Sequence, residues 1–361
     1  MIIFGAALFL AYANGANDNF KGVATLWGSG VASFRTALAW ATVSTFAGSL
    51  AAAAFAEKLL TLFSGKGLVP EWLIGTPAFA LAVILAAGLT VFLAALRGIP
   101  ISTTHSLVGA IMGAGLVAAG SELNFAKLGQ SFLLPLALGP ILPILIITGL
   151  YPMVRRVVTM PALDDWFGAT PKRPAMALAR SELNEAKQSQ HKTEAATAIA
   201  VALNSMRRSA DCLHFLSAGA VGFARGLNDT PKIVAIALAA GALDLRVSTF
   251  FIAIAMALGG LLQSRRIAVT MSNKITPLSP ARGTLANVIT SLLVIMASRY
   301  GLPVSTTHVS VGAIMGIGVA ERNANWRLLS GIASAWVLTL PTAMILSGLL
   351  YWGLTLSGLV G

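Results

Sequence analysis

Long apolar stretches separated by short polar or glycine-rich breaks make up most of the chain. Clear examples are residues 37–56, 74–96, 131–150 and 331–356, and the last of these contains no charged side chain. Each is close to the ~20 residues with which a helix crosses ~30 Å of hydrocarbon. Inside lipid only helices and closed barrels satisfy their own backbone hydrogen bonds, and stretches of this length indicate helices. The pattern therefore predicts an all-α polytopic membrane protein.

One polar segment interrupts this pattern in the middle of the chain. Residues 155–211 carry six of the 13 acidic side chains, and a pair of arginines stands near each end, at 155–156 and 207–208. Because basic residues collect in the cytoplasmic loops of membrane proteins, this segment is predicted to be a cytoplasmic linker. Its alanine-rich part, residues 176–206, is predicted to form an amphipathic or solvated helix.

Two sequence motifs occur twice, in the same order. Residues 98–115 read GIPISTTHSLVGAIMGAG and residues 301–318 read GLPVSTTHVSVGAIMGIG, with thirteen of eighteen positions identical. Upstream of these, GANDNFK begins at Gly15 and GLNDTPK begins at Gly226. Two motifs that recur in the same order, with nearly the same number of residues between them, indicate that the chain arose by duplication. The predicted domains are a first membrane repeat over residues 1–150, the cytoplasmic linker over residues 151–211 and a second membrane repeat over residues 212–361.

An asparagine–aspartate pair stands in each repeat, as Asn17-Asp18 and as Asn228-Asp229. Both pairs follow apolar stretches. An ionised carboxylate at membrane depth costs at least ~3 kcal/mol, so it needs a partner or a function. Carboxylate and amide oxygens are ligands that hard cations prefer. Since duplicated halves are typical of secondary transporters, the two pairs are candidate cation ligands.

A glycine and a lysine frame each pair. Gly15 and Gly226 are expected to let the helix unwind and to free backbone carbonyls for the cation. Lys21 and Lys232 lie three residues after the aspartates, on the same face if a helix continues. Each lysine is therefore either an accessory group of the site or a partner that only neutralises its aspartate.

A Ser-Thr-Thr-His run follows a Gly-x-Pro break in each repeat. Proline disfavours helix at the residue before it, and serine or threonine is a good N-cap for the apolar helix that follows. Each run thus predicts a helix N-terminus inside the membrane, whose free N–H groups and dipole attract an anion; the alternative is that the hydroxyls only cap the helix. The candidate anion ligands are Ser102, Thr103, Thr104, Ser305, Thr306 and Thr307. His105 and His308 are candidate accessory groups that would donate to the anion, relay protons or hold the loop.

Composition and charge exclude several other functions. Only 11% of the residues are charged, against about 25% in an average protein, so a soluble enzyme is excluded. The net charge of +12 is explained by basic cytoplasmic loops and does not indicate nucleic acid. The sequence has neither a Gly-Lys-Ser/Thr phosphate loop nor a cluster of His and Cys. We therefore expect no enzyme, no ATP drive and no resident cofactor, and an ion gradient as the energy source.

The repeated motifs, together with the run KITPLSPARG, resemble the inorganic phosphate transporter family, the Pit-type symporters. The resemblance covers both halves and leaves out the central linker. It implies two inverted repeats with discontinuous helices and re-entrant hairpins. It also implies a homodimer in the lipid bilayer of a cell membrane, expected here to be the inner membrane of a prokaryote.

For the site, the resemblance implies phosphate at the tips of the two hairpins, on the six hydroxyl residues named above. It implies sodium beside the phosphate, on Asn17, Asp18, Asn228 and Asp229. Cations bound there would reduce the cost of taking phosphate into the membrane. We therefore predict a secondary active transporter that takes up inorganic phosphate by sodium symport through alternating access.

Several alternatives remain open. The sequence departs from the family at Val269 and near Thr45, where many members have glutamate, and this bears on proton coupling. A proton-coupled symporter of phosphate or metal phosphate would use the histidines or aspartates as proton carriers. A sulfate permease is less favoured, because the relatives that move sulfate lack the Asn-Asp motif. Alternatives of another class are a passive anion channel and a membrane scaffold that does not transport.

Overall fold

The computed structural model of the protein describes residues 1–157, 190–241 and 243–358, which form fourteen α-helices and contain no strand. In the first half the helices are α1 (Ile2–Asp18), α2 (Ala24–Gly28), α3 (Phe34–Phe55), α4 (Glu57–Phe63), α5 (Pro77–Arg97), α6 (Thr103–Ala119), α7 (Phe125–Leu128) and α8 (Leu134–Val157). In the second half they are α9 (Gln190–Ala239), α10 (Leu245–Gln263), α11 (Arg265–Asn273), α12 (Pro280–Tyr300), α13 (Thr306–Ala320) and α14 (Trp326–Ser357).

The apolar stretches predicted from the sequence are helices. Within the described ranges, seven helices are long and apolar enough to cross a membrane. The four stretches that carried the prediction fall in α3, α5, α8 and α14. The prediction of an all-α polytopic membrane protein is confirmed.

Helices of the two halves pack against each other in equivalent pairs. Helix α6 packs along α14, and its repeat α13 packs along α8. In the same way α1 packs along α10, and α9 packs along α3. The two largest clusters of buried apolar side chains contain residues of both halves, so neither half encloses its core alone. In these pairs, which we call the exchanged helix pairs, a helix of one half packs along a helix of the other, as expected for a duplicated chain. The inversion of one repeat relative to the other stays a prediction.

The central linker lies partly outside the described residues. Helix α8 ends at Val157 and α9 begins at Gln190. The helix predicted over residues 176–206 is confirmed from Gln190 onward, and its earlier part lies outside the described residues. Because α9 runs on through residue 212 without a break, the end of the linker is not the end of a helix, and the proposed domain boundaries stay predictions.

Helices α5 and α6 pack against each other as a hairpin, as do α12 and α13, and each hairpin turns at a glycine that adopts a left-handed conformation. Gly98 ends α5 with φ 70° and Gly301 ends α12 with φ 75°. Glycine adopts this conformation without the clash that a Cβ would cause, which is why it commonly follows the last helical residue. The chain then runs extended before the next helix begins. We call residues 99–105 the first tip and residues 302–308 the second tip.

Candidate functional site

A serine caps the helix that begins in each tip. The hydroxyl of Ser102 accepts a hydrogen bond from the backbone N–H three residues later at the start of α6, and Ser305 does the same at the start of α13. The predicted N-caps are thus confirmed. The remaining N–H groups of the first turn have no acceptor within the helix, and the helix dipole places partial positive charge there.

The two tips meet each other. The Thr104 hydroxyl donates to the Val304 carbonyl oxygen at 3.2 Å, and the Thr307 hydroxyl donates to the Ile101 carbonyl oxygen at 2.8 Å. The contact is reciprocal, because in each case a threonine of one tip bonds the carbonyl that precedes the capping serine of the other. Two helix N-termini, one from each half, are thereby brought to one place. Such ends are suited to bind an anion together.

The first Asn-Asp pair surrounds a lysine amine. Asp18 is the last residue of α1, and Lys21 follows in a short 3₁₀ turn. The Lys21 Nζ donates to the Asp18 carboxylate and, at 2.8 Å, to Asn17 Oδ1. It also donates to the Ile101 carbonyl oxygen at 3.0 Å and to the Thr307 hydroxyl at 2.6 Å. Lys21 thus bonds the Asn-Asp pair of its own half and both tips.

The second Asn-Asp pair repeats this arrangement. The Lys232 Nζ donates to Asp229 Oδ1 at 3.2 Å, to the Val304 carbonyl oxygen at 2.9 Å and to the Thr104 hydroxyl at 2.7 Å. The Asn228 amide donates to Asp229 Oδ1 at 3.1 Å and to Val304 at 3.2 Å. Each lysine therefore links its own aspartate to a threonine of the opposite half.

The remaining threonines of the tips also contact the aspartates. The Thr103 hydroxyl donates to Asp18 Oδ2 at 3.3 Å, and the Thr306 hydroxyl donates to Asp229 Oδ2 at 3.5 Å. The structure thus brings the four threonines of the tips and both Asn-Asp pairs into one cluster with the two lysines, while the two serines cap the helices that begin in the tips. Their roles in binding stay predictions.

Asn14 and Arg225 belong to the same cluster, and sequence reasoning missed both. The Asn14 amide donates to Thr103 Oγ1 at 2.9 Å, to Asp18 Oδ2 at 3.1 Å and to Asp229 Oδ2 at 3.3 Å, so it joins the two halves. Its own Oδ1 accepts from Arg225 Nη2 at 2.6 Å.

Arg225 also fixes α9 against the first half. Its Nη1 donates to Asn19 Oδ1 at 3.3 Å and to Thr45 Oγ1 at 3.2 Å, and its Nε lies 3.8 Å from Asp229 Oδ2. Thr45, which stands near the place where many members of the family have glutamate, is thus a hydrogen-bond partner of Arg225. The sequence feature that could have identified Arg225 is its charge, because it stands at the end of an apolar stretch and directly before the GLNDTPK motif.

The unwinding expected near Gly15 and Gly226 does not occur in both halves. Helix α1 does end three residues after Gly15, but α9 continues through Gly226 to Ala239, so the predicted unwinding is wrong in the second half. A Cβ on Gly15 would overlap the carbonyl oxygen of Met256, and a Cβ on Gly226 would overlap that of Thr45. Both glycines therefore permit close packing between helices of opposite halves.

The two histidines lie between the tips and a tryptophan of α14. The His105 Nδ1 lies 2.9 Å from the Ser102 hydroxyl, and the two histidine rings have their centroids 4.5 Å apart. The His308 ring packs on Trp336 at 3.9 Å, and the Trp336 indole donates to the Pro100 carbonyl oxygen at 3.0 Å. Of the three roles considered, these contacts favour holding the loop.

The cluster is buried and carries an excess of positive charge. Its ionisable residues, none more than 3% exposed, are Asp18, Lys21, Arg225, Asp229 and Lys232. When all five are ionised, three cations face two carboxylates. Because an unbalanced buried charge is costly, the cluster is suited to receive one negative charge.

Known proteins resemble this chain over nearly its whole length. A model described as the phosphate transporter family matches residues 14–347. A Rhizobium meliloti protein named "Probable low-affinity inorganic phosphate transporter" is 28% identical over 366 residues, covering 97% of this chain and 95% of its own. An Arabidopsis thaliana protein named "Inorganic phosphate transporter 2-1, chloroplastic" is 26% identical over 428 residues, covering 97% of this chain and 71% of its own. A solved structure described as "The sodium-dependent phosphate transporter" has a similar fold, with a TM-score of 0.78, 24% identity and 98% of each chain covered.

Proposed function

This chain belongs to the phosphate transporter family, as its motifs predicted, and from this premise we propose that it carries inorganic phosphate across a membrane by alternating access. The observation that supports the proposal most is the meeting of two helix N-termini beside a cluster with one excess positive charge. Phosphate would lie between the tips. Its oxygens would accept hydrogen bonds from the N–H groups at the starts of α6 and α13.

The hydroxyls of the tips would take part in two ways. Ser102 and Ser305 cap the helices and would orient the free N–H groups. Thr104 and Thr307 now donate across the tips, and Thr103 and Thr306 donate to the aspartates. These four threonines would exchange their present acceptors for phosphate oxygens, so binding would replace hydrogen bonds that already exist and leave few groups unsatisfied.

The two carboxylates favour phosphate over sulfate. Asp18 Oδ2 and Asp229 Oδ2 accept hydrogen bonds from the tips, so they lie next to the proposed anion. An ionised carboxylate only accepts hydrogen bonds. Phosphate near neutral pH keeps at least one P–OH that can donate to it, whereas sulfate has no proton. A site with acceptors beside the anion therefore favours a protonated oxyanion.

Burial of the site supports alternating access. None of the six tip hydroxyl residues is more than 4% exposed. A solute could reach them only if the contacts between the tips separate or the neighbouring helices move. Because equivalent contacts come from both halves, movement of either half would open the site. A channel would need a path open to both sides at once.

Two coupling ions remain candidates. Sodium on Asn17, Asp18, Asn228 and Asp229 is supported by the hard oxygen donors of these residues. The similar solved structure is described as sodium-dependent, but its 24% identity supports the fold alone, so the argument for sodium rests on the donors. Proton coupling is the second candidate, because lysine amines already occupy several of those oxygens. The homodimer and the cell membrane of a prokaryote also stay predictions.

Counterflow in proteoliposomes tests the transport function. Purified protein would be reconstituted into vesicles loaded with unlabelled phosphate, and a trace of labelled phosphate would be added outside. We expect a transient accumulation of label above equilibrium, which unlabelled phosphate suppresses and sulfate does not. With the membrane potential clamped, a passive channel would equilibrate the label without overshoot, and a scaffold would match empty vesicles.

Threonine-to-valine variants tie the result to the tips. Thr103→Val combined with Thr306→Val removes two hydroxyls and changes the shape little, so we expect at least about a tenfold loss of counterflow, given ~1 kcal/mol for each lost hydrogen bond. The matched control is Thr61→Val, whose exposed hydroxyl bonds only within α4 and its flank. Equal losses in both variants would contradict a role for the tips.

A further inference from the structure

The oxygens around Lys21 Nζ are of the kind that a small hard cation takes. They are a carboxylate oxygen of Asp18, an amide oxygen of Asn17, the backbone carbonyl of Ile101 and the hydroxyl of Thr307. Hard monovalent and divalent cations bind to such mixed oxygen sets. Here the centre of the set is an ammonium group that belongs to the chain.

Lys232 lies in the equivalent set of the second half. Its Nζ contacts the Asp229 carboxylate, the Val304 carbonyl and the Thr104 hydroxyl at 2.7–3.2 Å. Three of the four kinds of oxygen are the same as around Lys21. The Asn228 amide oxygen instead accepts from Ser298 at 3.2 Å. A lysine amine surrounded by such oxygens thus occurs in both halves, which a chance ion pair would not explain.

The ammonium groups and sodium would compete for the same oxygens. Asn17, Asp18 and Asp229, on which the family resemblance placed sodium, are bonded to lysine amines. An ammonium donates three hydrogen bonds and accepts none, so a set of three or four oxygens suits each amine as it stands. A sodium ion on these oxygens would lie next to a fixed positive charge and would be repelled.

The charge of the cluster leads to the same result. Three buried cations and two buried carboxylates leave one excess positive charge, which a phosphate monoanion would neutralise. Each added sodium ion would restore an uncompensated positive charge at a buried site, and uncompensated buried charge is costly. The cluster balances phosphate without a further cation.

We propose that Lys21 and Lys232 are tethered cations that take the place of co-transported sodium, so that this protein binds and exchanges phosphate without sodium. The proposal rests on the proposed phosphate site, and it decides against sodium between the two coupling ions left open above. It assigns the lysines a direct electrostatic role toward phosphate, rather than that of partners which only neutralise the aspartates.

Counterflow in matched salts tests the proposal on the unaltered protein. Labelled phosphate exchange would be measured in choline chloride and in sodium chloride of equal ionic strength, with the same salt on both sides. We expect equal rates in the two salts. A rate that falls tenfold or more in choline would overturn the tethered-cation proposal and leave phosphate transport standing. Absence of counterflow in both salts would overturn the proposed function itself.

Two double variants test the role of the amines. Lys21→Ala with Lys232→Ala removes the ammonium groups and leaves room in the oxygen sets, whereas Lys21→Met with Lys232→Met fills that room with an apolar chain. In choline we expect both to lose at least about tenfold in counterflow, since each truncates buried hydrogen-bonded charge pairs. Sodium should restore several-fold activity only to the alanine variant, because the vacated oxygens can then bind the ion.

An exposed lysine provides the control for the two double variants. Lys66→Met alters an exposed lysine and should behave as the unaltered chain in both salts. Elution as a single species in detergent checks that each variant folds. If the variants keep full activity in choline, the lysines are not needed as cations and the proposal is wrong. If a variant does not fold, the comparison of salts on the unaltered chain still decides.

Discussion

Asp229 lies between two buried cations. Its carboxylate is 3.2 Å from Lys232 Nζ and 3.8 Å from Arg225 Nε, and the residue is 2% exposed. Asp229→Asn keeps the shape but leaves three cations facing one carboxylate. Removing one partner of a buried ion pair costs about 3–5 kcal/mol, so we expect a lower unfolding midpoint and at least about a tenfold loss of phosphate counterflow. Thermal unfolding in detergent and counterflow measure the two effects.

Glu71→Gln is the matched control for this change, since Glu71 is exposed and the substitution also removes one negative charge. It should leave both measurements unchanged. Full activity in Asp229→Asn would show that the carboxylate is not needed, and a phosphate site balanced by these charges would then be untenable.

Arg225 makes several bonds that a lysine cannot reproduce. Its two terminal nitrogens donate to Asn14, Asn19 and Thr45 in three directions. Because lysine is a point charge without the planar fork, Arg225→Lys keeps the charge and loses most of this geometry. We expect about a tenfold weaker phosphate affinity, corresponding to ~1.4 kcal/mol, measured by binding of labelled phosphate in detergent.

Arg246→Lys, at an exposed arginine of α10, should bind phosphate with the affinity of the unaltered chain. If Arg225→Lys also binds normally, only the charge of Arg225 matters and its fixed geometry does not.

The residues of the site could be predicted from the sequence only where the two halves agree. The Ser-Thr-Thr-His runs and the Asn-Asp pairs are repeated, and the structure brings them together. Asn14 and Arg225 each stand directly before the glycine of the first motif in their half, yet they differ in chemistry. Comparison of the repeats therefore could not detect them, although they contact each other at 2.6 Å.

At the scale of helices, glycine permits the close approach of α1 to α10. A methyl group on Gly15 would overlap the backbone of Met256, so Gly15→Ala must push the two helices apart. Since overpacking of this kind costs about 1–3 kcal/mol, we expect a lower unfolding midpoint and reduced counterflow. Gly5, in the same helix, has no atom within 4 Å of the added Cβ.

Gly5→Ala is therefore the matched control for Gly15→Ala. Alanine in place of an exposed helical glycine gains about 0.5–1 kcal/mol, so this variant should be as stable as the unaltered chain or slightly more stable. Equal destabilisation by both substitutions would argue against the contact with Met256 as the cause, because helix propensity alone favours alanine at both positions.

The helices and their ends were well predicted where neighbouring residues in the sequence determine them. Apolar length gave the spanning helices, and the Gly-x-Pro-x-Ser pattern gave the breaks and N-caps of both hairpins. The continuity of α9 was not predictable in this way. Gly226 lies inside α9, and the backbone of α3 at Thr45 packs directly against it. A contact with a helix of the other half cannot be read from the residues around Gly226.

At the scale of the whole molecule, the sequence predicted two related halves but not how they fit together. Hydropathy identifies helices and does not identify their neighbours. In the structure α1, α3, α6 and α8 each pack along a helix of the second half, and the tips of the two hairpins bond each other. The site therefore exists only when both halves are present, although each half carries a full set of motifs.

From this packing we predict that the chain between the halves can be cut, once the protein has folded, without loss of function. A specific protease site would be inserted between residues 171 and 174, in the predicted cytoplasmic linker. Because buried helices of the two halves contact each other extensively, we expect the two cleaved pieces to elute together in mild detergent. Counterflow of phosphate by the cleaved protein in proteoliposomes should be unchanged. The chain without the inserted site, treated with the same protease, controls for cleavage elsewhere. Separation of the pieces would show that the exchanged helix pairs do not hold the halves together, and loss of counterflow by pieces that stay together would assign the linker a part in transport.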